Sequence, residues 1–440
     1  MPIAVALALL LAVSAGGTAA AGTSTDYPML GHDATRASVS PDTAVGVSTW
    51  NGLTLKQKVS LGGFIVSSPA VAWNSTLGAN VAYVGASGTS GTSATMAAVN
   101  ATTGQVVWQY TVPGNIFSSP AVDGNTVYFG SDDHIVYALN ATDGTLQCSF
   151  DTGGRVEASP VVATIDAVGP LVFVGDTGLS ETHNAGHEWA LNGVGSQDTA
   201  CTLRWAFNGW NNTNHGKDGG SWSSPALATD STGRPLLVFG SNQPDNSVYA
   251  LDARTGIDVW RFQTFSASDT DVGAAPTISA PGLNGLTDGA VYVLGKDRIE
   301  YALDLLTGAQ VWSYSFRTVN CSTDPVSGTA LTGSNVYVGF CKWVYALNAA
   351  PTGTQTTSVV WRSATTGKSR ATPTISGASG DQVVIRGDKG GKEDAFRLSD
   401  GTALTSFNTG SATNEITSSS AVSAGMVFFA GSDGNLYILG

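Results

Sequence analysis

Apolar and polar residues alternate along short segments of this chain, and these segments recur together as one unit. The clearest copy reads Ser118-Ser119-Pro120-Ala121-Val122, then Val127-Tyr128-Phe129-Gly130, then Val136-Tyr137-Ala138-Leu139-Asn140, and it ends in a turn and an aromatic-rich segment. Alternation over about four to eight residues, bounded by Gly, Asn and Asp, is typical of half-buried β-strands. Each unit therefore predicts four strands, which we name A to D in chain order.

The number and spacing of these units predict the architecture. A period of roughly 40–50 residues with four short strands per unit is the signature of a β-propeller. We therefore predict an all-β, eight-bladed propeller with four-stranded antiparallel blades over residues 50–440. The last unit stops after its third strand, so we expect Leu53 to Leu61 to supply the fourth strand and close the ring. The eight A strands begin at Pro69, Pro120, Pro160, Pro225, Pro276, Thr329, Pro373 and Ser420.

The N-terminal residues predict export. An uninterrupted apolar run from Ile3 to Val13 is followed by Ala19-Ala20-Ala21, which suits cleavage by a signal peptidase. At about 11 residues the run is too short to span a bilayer. We therefore predict a signal peptide over residues 1–21, an irregular extension over residues 22–49, and a secreted or periplasmic location without a membrane span.

Charge and cysteine content restrict the possible binding partners and predict disulfides. The 440-residue chain has a net charge of −13 and no run of Lys or Arg, which argues against nucleic acid. Four cysteines in an exported protein favour disulfides. Cys321 and Cys341 should lie in loops on the same face of the sixth blade, so this pair is our first choice of disulfide. That choice leaves Cys148 with Cys201, and no Cys-x-x-Cys-His motif for covalent haem attachment is present.

Tryptophan recurs at one position of strand D. Because the position belongs to the repeat, we expect these rings to dock each blade against the next rather than to bind a ligand. The second and seventh blades depart from the pattern, with Cys148 and Thr405 in that place. The recurring residues are Trp108, Trp205, Trp260, Trp312 and Trp361.

The repeat resembles the pyrroloquinoline quinone (PQQ) family of propellers, which includes quinoprotein alcohol dehydrogenases and non-catalytic relatives. The segment Asp26-Tyr27-Pro28-Met29-Leu30-Gly31-His32-Asp33 looks like the opening Asp-Trp-Pro…Gly-x-Asp of the dehydrogenases. The resemblance covers nearly all of the chain after the predicted signal peptide.

Two further stretches resemble cofactor-binding elements of those enzymes. Gly219-Gly220-Ser221-Trp222 is similar to a Gly-Gly-x-x-Trp segment, and this resemblance implies that Trp222 forms the floor under the quinone. Lys296, in Gly295-Lys296-Asp297, falls where the family places a Lys or Arg that contacts the quinone.

Three other stretches resemble the metal-binding and catalytic elements. Asn242 and Glu181 lie in segments similar to those that carry calcium ligands, each displaced by one residue from the family pattern. Asp269 and Asp271 follow Trp260-Arg261-Phe262-Gln263, in the place of the loop that carries the catalytic Asp. The resemblance therefore implies Asp271 or Asp269 as the base and Glu181, Asn242 and Asp271 as Ca²⁺ ligands.

Topology places these candidates together without reference to the family. In a propeller the D–A and B–C loops share one face. Glu181, Asn242 and Lys296 follow a strand B, whereas Trp222 and the two aspartates precede a strand A. Oxygen donors gathered on one face suit a hard cation such as Ca²⁺. The cation would polarise the quinone, and a carboxylate would take the proton of the alcohol.

The sequence leaves three functions open. The first is a PQQ- and Ca²⁺-dependent dehydrogenase that oxidises an alcohol or a sugar. The second is a non-catalytic propeller that binds a protein or a cell-wall glycan, and the third is an inactive descendant with an empty pocket. The chain lacks the vicinal cysteines of many such enzymes, and Cys321-Ser322-Thr323-Asp324-Pro325 replaces the Gly-rich element expected before the sixth blade. The fold alone does not choose among these functions.

Overall fold

The computed structural model is an eight-bladed β-propeller, which confirms the predicted fold. It describes residues 25–89, 93–178, 186–208, 220–243, 245–265, 270–321 and 327–440. Eight four-stranded antiparallel sheets form the blades. Within these ranges the helical elements are α1 (Val47–Trp50) and a 3₁₀ turn at Leu283–Gly285. None of the described helices is long and apolar enough to cross a membrane.

The first four blades follow one another without interruption, each in the order A, B, C, D. Their strands are β2 (Ala70–Asn74), β3 (Ala79–Ala86), β4 (Ala94–Asn100), β5 (Val106–Val112); β6 (Ala121–Asp123), β7 (Thr126–Gly130), β8 (Ile135–Asn140), β9 (Leu146–Asp151); β10 (Val161–Thr164), β11 (Pro170–Gly175), β12 (Glu188–Asn192), β13 (Leu203–Phe207); β14 (Ala226–Thr229), β15 (Pro235–Gly240), β16 (Ser247–Asp252) and β17 (Asp258–Gln263).

The last four blades repeat this order, but the outer strand of blade 8 comes from the N-terminal side of the chain. Their strands are β18 (Thr277–Ile278), β19 (Ala290–Leu294), β20 (Ile299–Asp304), β21 (Gln310–Ser315); β22 (Thr329–Thr332), β23 (Asn335–Phe340), β24 (Trp343–Asn348), β25 (Val359–Ala364); β26 (Thr374–Ser376), β27 (Val383–Gly387), β28 (Lys392–Arg397), β29 (Phe407–Asn408); β30 (Ala421–Ser423), β31 (Met426–Ala430), β32 (Asn435–Leu439) and β1 (Leu55–Ser60).

Burial explains why the inner and outer strands differ in sequence. The inner strand β15 is buried along its whole length, whereas the outer strand β17 is buried mainly at Trp260. Inner strands lie between two neighbouring blades, so both of their faces are apolar, while outer strands have one face in solvent. The hydrophobic core is therefore a ring of clusters between blades, one of which contains the stacked rings of Phe129 and Tyr137.

An N-terminal strand closes the ring, as the sequence predicted. β1 pairs antiparallel with β32, with Lys58 opposite Tyr437 and Ser60 opposite Asn435. This pairing supplies the fourth strand of blade 8 and covers the edge that the chain end would otherwise leave open. The residues predicted for this strand, Leu53 to Leu61, enclose the observed one.

The recurring tryptophans dock neighbouring blades, which confirms their predicted role. The indole Nε1–H of Trp108 in blade 1 donates to the carbonyl oxygen of Ala141 in blade 2 at 3.0 Å. Its ring lies on Gly144, which has a φ of 73° and where a methyl group would approach within 2.7 Å of the indole. The equivalent indole-to-carbonyl bonds are Trp205 to Ala253, Trp260 to Leu305, Trp312 to Ala349 and Trp361 to Leu398.

A disulfide takes the place of this contact between blades 2 and 3. Cys148 lies opposite Ala138, the register position that Trp108 holds opposite Ala98 in blade 1. Its partner Cys201 lies in the C–D turn of blade 3 with a φ of 54°, where five other blades have glycine. The second disulfide joins Cys321 and Cys341. Both predicted pairings are therefore confirmed, and two disulfides fit an oxidising compartment.

The N-terminal extension runs through the centre of the ring, which the sequence did not predict. The carbonyl oxygens of Tyr27, Pro28, Ala34, Thr35, Ala37 and Ser38 accept backbone N–H groups from strands A of six blades. Ser40 donates its hydroxyl to Val422 in blade 8. The edges of the innermost strands are thus satisfied by this segment, which we call the channel segment (residues 27–42).

Arg36 completes these contacts in blade 3, which neither the backbone bonds nor Ser40 reach. The guanidinium is 2% exposed and donates to the carbonyl oxygens of Ser159 and Pro160 in blade 3 and of Pro225 in blade 4. Burial lowers its pKa to about 10, so it stays charged at neutral pH. The segment then leaves by the A–B turns, where Asp42 binds the backbone N–H of Gly425.

Candidate functional site

The opposite face of the propeller carries the candidate residues. We call this the upper face, formed by the D–A and B–C loops. Trp222 precedes β14, Asn242 follows β15, Asp271 precedes β18 and Lys296 follows β19. Four of the six candidates therefore come from the adjacent loops of blades 4 and 5. Glu181 and Asp269 lie outside the described residues.

Three of these side chains are in contact. The Nζ of Lys296 lies 2.8 Å from Oδ2 of Asp271, and each of the two side chains is 15% exposed. The same Nζ lies 5.3 Å from the centre of the Trp222 ring. The backbone N–H of Gln243 donates to Oδ1 of Asp271 at 2.7 Å. A carboxylate, an ammonium group and an indole face thus meet at the boundary of two blades.

Trp222 is held in place by a glycine of the next blade. A methyl group at Gly273 would overlap the six-membered ring of the indole, so only glycine lets the ring lie flat against this backbone. Trp222 is half-buried, and its position is outside the docking register of the other tryptophans. The contact supports the distinction drawn from the sequence between this ring and the docking rings.

Asn242 offers an oxygen donor beside this cluster. Its backbone N–H donates to the carbonyl oxygen of Gly220 at 3.0 Å, and its carbonyl accepts from Asp245 and Asn246. These bonds fix the start of the B–C loop. Its side-chain Oδ1 is buried and has no hydrogen-bond partner among the described residues. Because a buried acceptor normally has a partner, this oxygen is suited to a ligand or a cation.

The residues fit the implied quinone better than the implied Ca²⁺. A flat aromatic surface with an ammonium group beside it suits a planar anionic ring system. The carboxylate of Asp271 is already bonded at both oxygens, and within the described ranges no group of three His, Cys, Asp or Glu side chains could hold a metal ion. Glu181 and Asp269, the other proposed carboxylates, fall outside those ranges.

Two features of the site were not predicted from the sequence. Gln243 binds Asp271 through its backbone, which no side-chain pattern reveals. Gly273 could have been noticed, since it follows Val272 directly before a predicted strand A, where a turn is not required. A glycine outside a turn often marks the close approach of another group.

Buried carboxyl groups form a second chemical feature of the propeller. Glu188, Glu300 and Glu393 hold the same position near the start of strand C in blades 3, 5 and 7, and all three are fully buried. Glu300 and Glu393 accept hydroxyl bonds from Thr329 and Ser420 of the following blades at 2.8 and 2.7 Å. In both following blades, the hydroxyl residue replaces the usual proline.

Glu188 is the exception in this set. The following blade keeps Pro225, and neither carboxyl oxygen of Glu188 has a hydrogen-bond partner within the described ranges. Burial and the nearby Asp176 raise the pKa of Glu188 well above its ordinary value. Burial also raises the pKa of Asp176 to about 6, although the indole of Trp189 donates to it.

These carboxyl groups predict that the protein is more stable at pH 5 than at pH 8. Burial raises the pKa of Glu300 from 4.5 to about 8, so the folded protein keeps a proton that the unfolded chain releases. The free energy of unfolding should fall as pH rises through this window, by on the order of 1 kcal/mol per pH unit. In urea unfolding at several pH values, the free energy of unfolding of Glu300→Gln should fall less steeply with pH than that of the wild type. Glu415→Gln, at an exposed carboxylate, should keep the wild-type pH dependence. An unchanged slope in Glu300→Gln would contradict a buried proton there.

Comparison with known proteins places the chain in a family. A protein-family model described as outer membrane protein assembly factor BamB matches residues 49–187 and 244–439. The outer membrane protein assembly factor BamB of Yersinia pestis is 24% identical over 284 residues, which are 58% of this chain. The chain spans 63% of the length of that curated relative.

Solved structures show the same fold at low sequence identity. The quinohemoprotein alcohol dehydrogenase of Comamonas testosteroni superposes with a TM-score of 0.73 at 15% identity, over 97% of this chain and 81% of that one. BamB of Moraxella catarrhalis superposes with a TM-score of 0.57 at 16% identity, over 88% of this chain and 97% of that one. The chain therefore belongs to the PQQ-like propeller family whose model bears the description of the assembly factor BamB.

Proposed function

We propose that the upper face between blades 4 and 5 binds a quinone cofactor of the PQQ class and that the protein oxidises an alcohol or a sugar. The contact of Trp222 with Lys296 and Asp271 carries this proposal. An aromatic plane, a cation and a carboxylate are what such a reaction needs around a planar, anionic cofactor. The fold likeness to an alcohol dehydrogenase agrees with it but supplies no residue roles.

Each side chain has a distinct part in this proposal. The Trp222 ring stacks on the planar cofactor, and Lys296 balances its negative charge. Asn242 Oδ1 is a ligand for Ca²⁺, which prefers oxygen donors, and Glu181 and Asp271 are its proposed companions. The bound quinone would accept the electrons of the alcohol. Asp271 or Asp269 holds the hydroxyl group of the substrate and takes its proton.

The ion pair has a consequence for this proton transfer. Both oxygens of Asp271 are already bonded, so Oδ2 can accept the hydroxyl of a substrate only when Lys296 turns from it towards the cofactor. Occupation of the site by an anionic ring system would draw Lys296 away from Asp271. The proposal therefore couples cofactor binding to the freeing of the base.

A titration of the purified protein with PQQ and Ca²⁺ tests the site. Trp222→Ala should weaken PQQ binding by at least about tenfold, since an aromatic stacking surface is lost. Trp73→Ala is the matched control, because Trp73 is 41% exposed in strand A of blade 1, away from the candidate site. Dye-linked oxidation of alcohols and sugars then tests turnover. Equal affinity in both variants would remove Trp222 from the site.

The second candidate is a non-catalytic propeller that binds a protein or a glycan through a face. One observation favours it, since both oxygens of Asp271 already have partners within the protein and the resting carboxylate is not a free base. Membership of a family described by an outer membrane assembly factor is compatible with a protein partner. Absence of PQQ binding at tens of micromolar cofactor would favour this function.

A further inference from the structure

Positive charge is concentrated in one part of this acidic protein. Residues 342–392 contain seven of the 20 Lys and Arg residues but two of the 33 Asp and Glu residues. The chain as a whole has a net charge of −13. Such an asymmetry within one folded unit indicates a surface for an oppositely charged partner.

The fold brings five of these charges to one side. They lie in the B–C turn of blade 6, in the D–A loop between blades 6 and 7, and in the B–C loop of blade 7 with the first residue of β28. All three connections belong to the upper face, so the charges share a surface although no run of Lys or Arg exists in the sequence. We call this surface the basic patch, and it consists of Lys342, Lys368, Arg370, Lys389 and Lys392.

The loops that carry the basic patch are locked together. The backbone N–H of Lys389 donates to the carbonyl oxygen of Lys368 at 2.7 Å, and that of Thr365 donates to Lys342 at 2.9 Å. The hydroxyl of Thr366 donates to Asp388 at 2.6 Å. The patch is therefore a fixed arrangement of charges rather than a set of independent mobile loops.

The segment has two acidic residues, Asp381 and Asp388, against seven Lys and Arg residues, and Glu393 and Asp394, which follow it directly, are buried. Asp388 is fully buried and uses its carboxylate to bind Thr366 and the backbone N–H groups of Gly390 and Lys392. Asp381 binds Ser48 at the A–B turns of the other face. Glu415 pairs with Lys389 at 2.9 Å and is exposed, so solvent and ions screen this pair.

The surroundings of the patch select the kind of partner. None of the described residues in the three connections that carry the patch, 341–342, 365–373 and 388–391, is a large exposed apolar side chain. Protein interfaces usually need aromatic or aliphatic anchors, and single-stranded nucleic acids need aromatic stacking surfaces. A hydrated polymer with regularly spaced negative charges needs neither.

We propose that the basic patch binds an anionic polysaccharide that carries carboxylate or phosphate groups. The lysine ammonium groups bind successive negative groups along the polymer through charge-assisted hydrogen bonds. This site lies on blades 6 and 7 and requires no cofactor, so it is independent of the quinone site proposed between blades 4 and 5.

Binding of the full chain to polygalacturonate, to poly(glycerol phosphate) and to neutral dextran tests this inference. Both charged polymers should bind at about 20 mM salt and lose most affinity at about 200 mM, because the contacts are ionic. A preference for one polymer identifies carboxylate or phosphate as the group recognised. Dextran should not bind, and equal binding of dextran would overturn the proposal.

Charge reversal locates the site. Lys368→Glu/Lys392→Glu should weaken binding of the charged polymers by at least about tenfold. Lys56→Glu/Lys58→Glu makes the same charge change at exposed positions on β1 and should leave binding within about twofold. Thermal unfolding checks that both variants fold. An equal loss in the two variants, or no binding of either charged polymer at low salt, would refute the basic patch as the site.

Discussion

Replacing Cys148 and Cys201 together by serine should lower the free energy of unfolding by about 4 kcal/mol, as the chain-entropy model gives for a loop of this size. The disulfide joins residues 53 apart in sequence and takes the place of a tryptophan contact between two blades. The variant loses both the cross-link and the contact that stands in the tryptophan position at this boundary. Urea unfolding followed by tryptophan fluorescence measures the change.

The second disulfide provides the matched control. Cys321 and Cys341 are 20 residues apart, and their replacement by serine should cost about 1 kcal/mol less by loop entropy alone. A further variant, Cys148→Trp with Cys201→Gly, recreates the tryptophan–glycine pair of four other boundaries and should recover part of the lost stability. If the 148–201 serine variant is as stable as the wild type, the disulfide does not replace the docking contact.

Replacing Arg36 by methionine should also strongly destabilise the ring, by about 3 kcal/mol or more. The guanidinium donates to carbonyl oxygens of Ser159, Pro160 and Pro225, which join the channel segment to blades 3 and 4. Methionine keeps the apolar part of the side chain but leaves these buried acceptors without that donor. Thermal unfolding should show a lower midpoint. Limited proteolysis should cut the variant earlier than the wild type within residues 27–42.

Arg254 serves as the control for this variant. It is exposed in the C–D turn of blade 4, and Arg254→Met should change the stability by less than about 0.5 kcal/mol. Equal effects of the two substitutions would show that Arg36 does not hold the channel segment.

The repeated features of the fold were predictable because each occurs several times along the chain. Period-2 alternation, turn glycines and the recurring tryptophans predicted the blades. The missing last strand of the repeat predicted the ring closure at β1. The channel segment occurs once, and its polar and apolar residues follow no strand period. Its order comes from backbone bonds to six different blades, which no local pattern of the sequence contains.

The site was predictable to the extent that topology places loops. The D–A and B–C assignments brought Trp222, Asp271 and Lys296 to one face, and the structure places them in contact. The pairing of Asp271 with Lys296 was not predicted, because a face contains many possible partners. The basic patch was missed for the same reason, since its five residues come from three loops separated in sequence.

A crystal structure of the protein grown with PQQ and Ca²⁺ tests the central claim most directly. The account predicts planar density against the indole of Trp222, within reach of Lys296, and a cation bonded to Oδ1 of Asn242. It also predicts that Lys296 has moved from Asp271 towards the cofactor. Planar density elsewhere, or an unchanged Lys296–Asp271 pair without bound cofactor, would contradict the quinone site between blades 4 and 5.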